Sequence, residues 1–252
     1  METLTILEPN LLGFSLVFFV IYLFGYFYMF KDWNEKVRSD ASSCVMSLAH
    51  GTPAVILSIY SMLQNSQTSF QNLDFSTQNS PLQEMILEYS IAYFLADLLH
   101  YFVFYPSDVL FIAHHLATLY VFLTCRFVVH HGAATLIGLL VIAEITSPCQ
   151  NTWSLSRYRK IDTPVAAKLY EKLSPIFYLF YSLVRGILGP LFVYKMGLAF
   201  ASGKADGVIS RPMWISWMVV IVSAILVSIL WVMSLWVDFF RERPKKQLKK
   251  YN

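Results

Sequence analysis

The sequence predicts an all-α membrane protein, a bundle of about seven transmembrane helices. Of its 252 residues, 56% are apolar and only 14% are charged, whereas an average soluble domain carries about 25% charged residues. The mean hydropathy is +0.53. This composition excludes a soluble domain of this size, and it excludes intrinsic disorder, which requires low hydrophobicity and high net charge.

Seven apolar runs approach the roughly 20 residues that a helix needs to cross a bilayer. The first has no charge, and neither a basic stretch before it nor a small-residue cleavage site after it, so it is predicted to be a retained span. The fifth is short and is predicted to end near Pro148. The sixth contains Gly186, Gly189 and Pro190, which predict a kink. The predicted spans are 11–30, 42–63, 86–105, 109–129, 132–150, 175–200 and 213–238.

Basic residues predict the orientation of these spans. Fourteen of the 19 Lys and Arg residues follow the first, fifth and seventh spans, and the Gln64–Glu84 loop has none. Because basic loops stay in the cytosol, the N-terminus is predicted to be lumenal and the C-terminus cytosolic. The predicted organisation is a first helix and cytosolic loop (1–40), a main domain (41–240) and a basic cytosolic tail (241–252).

Ionisable residues inside the predicted spans are the main functional signal, because each costs about 2.5–3.5 kcal/mol to insert. At about 1.5 Å per residue, those of five helices lie at a similar depth, in the predicted cytosolic half. We therefore expect one polar chamber, open to the cytosol. Its predicted residues are His50, Asp97, His100, His114, His115, Glu144 and Arg185.

These residue types permit several kinds of chemistry. Asp97 could orient a histidine, which could transfer a proton near neutral pH. His114 and His115 lie about 100° apart on a helix, so only one is expected to point straight into the chamber. Arg185 could pair with Glu144, in a purely structural role, or bind a phosphate or carboxylate. Zinc-ligand spacing such as His-x-x-x-His is absent, and no metal is predicted.

Several motifs at these positions resemble the TLC (Tram–Lag–CLN) domain, whose fold is shared with ceramide synthases. The resemblance covers about residues 40–240 and is greatest to the small TLC-domain-only proteins of plants and animals. It implies a lipid-related role in an internal membrane. The motifs are Tyr93–Asp97 followed by Pro106 and Ala113–Leu116, with Ser47–Gly51, Ala143–Pro148 and Val184–Gly186.

The sequence departs from the ceramide synthases in one respect. Their His-His pair belongs to a longer motif that adds a His-Asp and paired aspartates in a later helix, where this chain has only Glu144. The resemblance therefore carries over only His114 and His115. With Asp97 they are the candidate catalytic residues, and His50, His100, Glu144 and Arg185 are the candidate substrate-binding residues.

The last residues carry a separate signal. Lys249 and Lys250 stand fourth and third from the C-terminus, the pattern of the di-lysine retrieval signal of endoplasmic-reticulum membrane proteins. Such a signal must face the cytosol, as the charge distribution independently predicts. The alternative is a generic basic tail on an anionic membrane surface.

The leading functional hypothesis is lipid binding, sensing or metabolism in the endoplasmic reticulum, with membrane lipid as the partner and no cofactor required. The first alternative is an acyl-CoA-dependent N-acyltransferase with a histidine general base. A transporter and a structural partner of the translocation machinery are further alternatives. A homo-oligomer is possible, no nucleic-acid partner is predicted, and the three cysteines are expected to be free thiols.

Overall fold

The fold is the predicted all-α bundle. The computed structural model describes residues 9–64 and 77–248, with side chains described for 10–64 and 77–241. Within these ranges, seven helical segments are long and apolar enough to cross a membrane. They are Asn10–Met29, Glu35–Gln64, Pro81–Phe104, Val109–Val129, Ala133–Arg159, Pro164–Ala201 and Arg211–Arg241.

Nine α-helices and three π-helical turns build these segments in the described part of the chain. The π-turns, Gly25–Met29, Cys125–Val129 and Val184–Leu188, lie in the first, fourth and sixth spans. The helices are α1 (Pro9–Phe24), α2 (Glu35–Gln64), α3 (Pro81–Phe104), α4 (Val109–Thr124), α5 (Ala133–Glu144), α6 (Ser147–Arg159), α7 (Pro164–Leu183), α8 (Gly189–Ala201) and α9 (Arg211–Leu248).

Six of the spans form a ring, and the first packs outside it. Helix α2 contacts α3, α3 contacts α4, and α4 contacts α9. Helix α9 packs on α7 and α8, which return through α6 and α5 to α2 and close the ring. Helix α1 packs against α2 and α3, where Phe18 is completely buried.

The predicted end of the fifth span was wrong. Helix α5 ends at Glu144, the chain turns, and α6 continues the span to Arg159 instead of stopping near 150. Pro148 occupies the first turn of α6, where a missing backbone N–H costs nothing because it would have no helical partner. It therefore begins a helix here, and Arg157 lies on that helix instead of in a loop.

The sixth span is irregular where a kink was predicted, with a π-helical turn at Val184–Leu188. Pro190 stands in the first turn of α8 and has no N–H to donate to the preceding turn. The span also begins earlier than predicted, at Pro164 instead of 175.

Proline 53 lies inside α2 and leaves one carbonyl without its helical donor. The carbonyl of Ala49, four residues before the proline, would ordinarily accept from the N–H of residue 53. The hydroxyl of Tyr89 on α3 donates to that oxygen instead, at 2.6 Å. The tyrosine therefore satisfies a partly buried backbone group and joins α2 to α3.

Arg126 is one of the few basic residues at the end of the bundle predicted to be lumenal. Its guanidinium lies 2.6 Å from Glu88, which is buried, and 3.5 Å from Glu84. This ion-pair cluster joins the π-turn after α4 to α3 and explains why a basic residue occurs at this end.

Candidate functional site

A polar cavity with a volume of about 490 Å³ lies inside the ring of spans. It is lined by residues of α2, α3, α4, α6, α7 and α9, together with Glu144 at the end of α5. Six of the seven predicted chamber residues line it: Asp97, His100, His114, His115, Glu144 and Arg185. The seventh, His50, does not.

Asp97 and His115 form the centre of the site. His115 Nε2 lies 2.8 Å from Asp97 Oδ2, and both side chains are buried. Ser43 on α2 donates its hydroxyl to the other carboxylate oxygen at 2.6 Å. The hydroxyl of Tyr93 lies 3.5 Å from Oδ2. The carboxylate is therefore held from three sides and fixes the ring of His115.

Both ring nitrogens of His115 are already engaged. Nδ1 lies 2.8 Å from the carbonyl oxygen of Phe111, which can only accept a hydrogen bond, so Nδ1 donates. Nε2 faces a carboxylate, which also accepts when it is ionised. Both contacts are satisfied when the ring carries two protons, and that ring has no lone pair with which to accept another. His115 is therefore held in position by Asp97 and the Phe111 carbonyl, with both ring nitrogens engaged.

His114 differs from its neighbour, although both line the cavity. Its ring stands edge-on to the Trp231 ring at 5.4 Å between centroids. Its Nδ1 is buried and has no hydrogen-bond partner among the described residues. The ring of His114 therefore lines the cavity with one buried nitrogen unpaired.

Glu144 and Arg185 line the cavity without pairing directly. Within the described ranges, no ion pair of 4.0 Å or less joins them. Arg185 donates to the backbone carbonyl of Ala143, and its Nε atom has no partner. Glu144 accepts from the Ser147 hydroxyl at 2.6 Å. The structural pairing considered from sequence is not made, and the buried Nε of Arg185 is left without a partner among the described residues.

His50 is completely buried behind Tyr93, which lines the cavity. The two rings stack at 4.1 Å with an interplanar angle of 6°. His50 Nε2 lies 3.1 Å from the Ser90 hydroxyl, and Nδ1 lies 4.0 Å from Glu144. A molecule in the cavity would therefore meet Tyr93 instead of His50.

His100 connects the cavity to the helix outside the ring. Its Nδ1 lies 2.9 Å from the hydroxyl of Tyr22 on α1. Although Asp97 and His100 share a face of α3, they have different partners. Asp97 forms hydrogen bonds with Ser43 on α2 and His115 on α4.

An apolar slot of about 90 Å³ adjoins the polar cavity. It lies between α4, α5 and α9, and its walls are mainly aliphatic, including Val121, Leu136, Leu140 and Ile221. Four residues line both spaces and mark their junction: Phe94, His114, Glu144 and Arg185.

Other cavity residues were not predicted. Ser43 has no sequence signal beyond its place in an apolar helix. Trp231 stacks on Phe111 at 4.5 Å and closes the α4–α9 side. Where the loop after α3 reaches the cavity, burial and then a hydrogen bond with Asp40 raise the pKa of Tyr105 to about 12. Tyr105 thus remains a hydroxyl donor, with the Lys36 carbonyl 3.3 Å away.

Two further predictions concern metal binding and the tail. Throughout residues 9–64 and 77–248, no group of three or more His, Cys, Asp or Glu side chains is arranged to hold a metal ion. Lys249 and Lys250 lie outside the described residues.

Comparisons with known proteins identify the family of this chain. The profile of the TLC domain family matches residues 40–237, which is most of the ring. The chain is 50% identical over 243 residues to a TLC domain-containing protein of Arabidopsis thaliana, covering 96% of this chain and 94% of that protein. No solved structure matches. The chain belongs to the TLC domain family.

Proposed function

We propose that this membrane protein acts in lipid homeostasis by binding an amphiphilic lipid inside its ring of helices. The observation that carries the proposal is the junction of the polar cavity with the apolar slot, where His114, Glu144 and Arg185 line both spaces. An amphiphile needs this combination, because its chain gains from apolar contacts while its head group needs hydrogen-bonding partners.

The dimensions of the slot suit part of a hydrocarbon chain. Its lining runs from His114 to Phe122 on α4 and from Glu144 to Leu136 on α5, nine residues and so eight steps along each helix. At about 1.5 Å per residue, this is a depth of roughly 12 Å. A chain in the slot would place the attached head group beside His114, Glu144 and Arg185.

Mass spectrometry of lipids that co-purify with the protein tests this proposal. We expect wild type to retain a defined lipid, and Ala224→Phe, which fills the slot, to lose it. Val222→Phe on the same helix points outward and is the matched control, since Val222 is exposed and Ala224 lines the slot. Equal retention by both variants, or no lipid in wild type, would overturn the proposal.

A lipidome of cells lacking the protein tests the same function in the cell. We expect one lipid class to change, and wild type to restore it. His114→Ala/His115→Ala, matched for expression, should fail to restore it. Equal rescue by wild type and the double variant would show that the function does not require these histidines.

We propose acyl transfer as the second candidate, because one nitrogen of His114 at the junction is unpartnered. His114 would accept the proton of an amine as the amine nitrogen attacks the carbonyl of an acyl-CoA thioester. The C–S bond then breaks, the amide forms, and the thiolate takes up the proton. Arg185 would contact the CoA partner. Amide formation from a long-chain amine and acyl-CoA by purified protein, absent in His114→Ala, is the expected result; its absence in wild type excludes this candidate.

We further propose residence in the endoplasmic reticulum, with the N-terminus lumenal and the cavity open to the cytosol. The support is the C-terminal Lys249 and Lys250 and the basic loops. Replacing both lysines with serine should release the protein to later compartments, as seen by microscopy. Unchanged reticular localisation of that variant would argue against retrieval.

A further inference from the structure

The sixth span is longer than a bilayer requires. Pro164–Ala201 has 38 residues, about 57 Å at 1.5 Å per residue, whereas the hydrocarbon core is about 30 Å thick. Residues 175–201 alone extend about 40 Å, enough to cross. The first three turns of α7 are therefore available to lie at the level of the lipid head groups.

One exposed face of α7 continues from the apolar part of the span into these first turns. At 3.6 residues per turn, Val165, Lys168, Leu169 and Lys172 fall within an arc of about 100°. All four are exposed. Further along the helix, the same arc contains exposed apolar residues, Ile176, Leu179 and Leu183. We call Val165, Lys168, Leu169 and Lys172 the basic stripe.

Among the residues whose side chains are described, the charges of the basic stripe lack partners. Among the described residues, neither Lys168 nor Lys172 has an ion pair or a side-chain hydrogen bond. They stand four residues apart, and like charges at this spacing repel each other and destabilise a helix. Glu171 lies about 60° around the helix axis from Lys168 and about 100° from Lys172, and within the described ranges it forms no ion pair with either lysine. An anion between the two lysines would remove their repulsion.

We infer that the basic stripe binds the phosphate groups of anionic bilayer lipids. The lysine ammonium groups bind the phosphate, and the acyl chains of the same lipids lie along Ile176 and Leu179. This surface is on the outside of the ring, so the inference is independent of the lipid proposed for the cavity.

Lipid retention from nanodiscs tests the inference. Wild-type protein is placed in equimolar phosphatidylglycerol and phosphatidylcholine, and native mass spectrometry measures the ratio of the two lipids that remain bound. We expect phosphatidylglycerol to be enriched, and the enrichment to fall by roughly fivefold for each lysine removed in Lys168→Gln/Lys172→Gln. Glutamine keeps the helix propensity of lysine, so the helix is preserved.

The matched control is Lys195→Gln/Lys204→Gln, which removes the same charge from exposed positions at the other end of the sixth span. The control should keep the enrichment. An equal loss in both double variants would overturn the inference, because net charge would then be the cause. Absence of phosphatidylglycerol enrichment in wild type would also overturn the inference. An acidic protein segment would then be the remaining candidate partner of the basic stripe. Failure of the cavity proposal has a different signature, because the cavity lipid should be retained in both lysine variants.

Discussion

At the scale of single residues, two adjacent histidines have different surroundings and therefore different capacities. His115 is fixed between Asp97 and the Phe111 carbonyl, while His114 Nδ1 has no partner within the described ranges. A His-His pair in a sequence shows two equivalent imidazoles. Only the partners that each ring has in the folded structure distinguish the histidine that is held in place from the histidine with an unpaired nitrogen.

We predict that Asp97 and His115 are energetically coupled. Removing either partner of a buried pair typically costs about 3–5 kcal/mol, because the other is left buried without its partner. Asp97→Ala and His115→Ala should each lower the free energy of unfolding, and the double variant should cost less than the sum. Thermal unfolding in detergent measures this. As a control, Asp97→Ala combined with His130→Ala, a substitution of an exposed residue, should lower the free energy of unfolding by the sum of the two single losses. Additive losses for Asp97→Ala and His115→Ala would contradict the coupling.

We predict that Gly51 is required for the position of Glu144. A Cβ atom at residue 51 would lie 2.8 Å from Glu144 Oε2 and 3.1 Å from Ser147 Cβ. Gly51→Ala should therefore destabilise the protein by about 1–3 kcal/mol and displace the carboxylate. Gly13→Ala, where a Cβ would meet nothing within 4 Å, should be neutral or gain up to about 1 kcal/mol. Equal unfolding temperatures for the two variants would refute the prediction.

At the scale of elements, hydropathy predicted all seven spans but not their interruptions. An apolar run of sufficient length identifies a crossing because unpaired backbone groups cannot lie in hydrocarbon. Local breaks do not change the average hydropathy. The turn between α5 and α6, and the early start of the sixth span at Pro164, were therefore missed. The irregularity near Gly186 was predicted because glycine and proline mark it directly.

Helix α1 lies largely outside the matched domain but packs as part of the bundle. Phe18 is completely buried against α2 and α3, whereas the adjacent Phe19 is 47% exposed. We predict that Phe18→Ala lowers the free energy of unfolding by about 3 kcal/mol or more, because it leaves a cavity. Phe19→Ala should change it by less than about 0.5 kcal/mol. Thermal unfolding of the two variants is the measurement, and equal losses would show that α1 is only loosely attached.

At the scale of the whole molecule, the sequence predicts how far along its helix each polar residue lies better than it predicts which way the side chain points. Counting residues along each helix places polar groups at a common level, and six of seven line one cavity. Counting does not show which way a side chain points around the ring. His50 was therefore predicted at the cavity, although Tyr93 covers it. Nothing in the sequence distinguishes Trp231 from other apolar residues, because its position at the cavity depends on the packing of α9 beside α4.

We predict that the cavity is accessible from the cytosol, and a native cysteine can serve as the probe. Cys44 lines the cavity and is only partly buried. In sealed vesicles with the cytosolic face outward, a membrane-impermeant maleimide should label Cys44 in a Cys149→Ser background. Cys44→Ser in that background should abolish labelling, because Cys125 is buried. Labelling that requires opened vesicles would place the entrance on the lumenal side.

The hydrogen bond from Tyr89 to the Ala49 carbonyl has a consequence for how this sequence can change over time. As long as residue 53 is proline, replacing Tyr89 by phenylalanine leaves the partly buried Ala49 carbonyl without a donor, at a cost of about 1 kcal/mol. If Pro53 is first replaced by alanine, its N–H can pair with that carbonyl, and the tyrosine hydroxyl becomes dispensable. The two substitutions are tolerated in one order and costly in the other, so we expect lineages to lose the proline before the tyrosine.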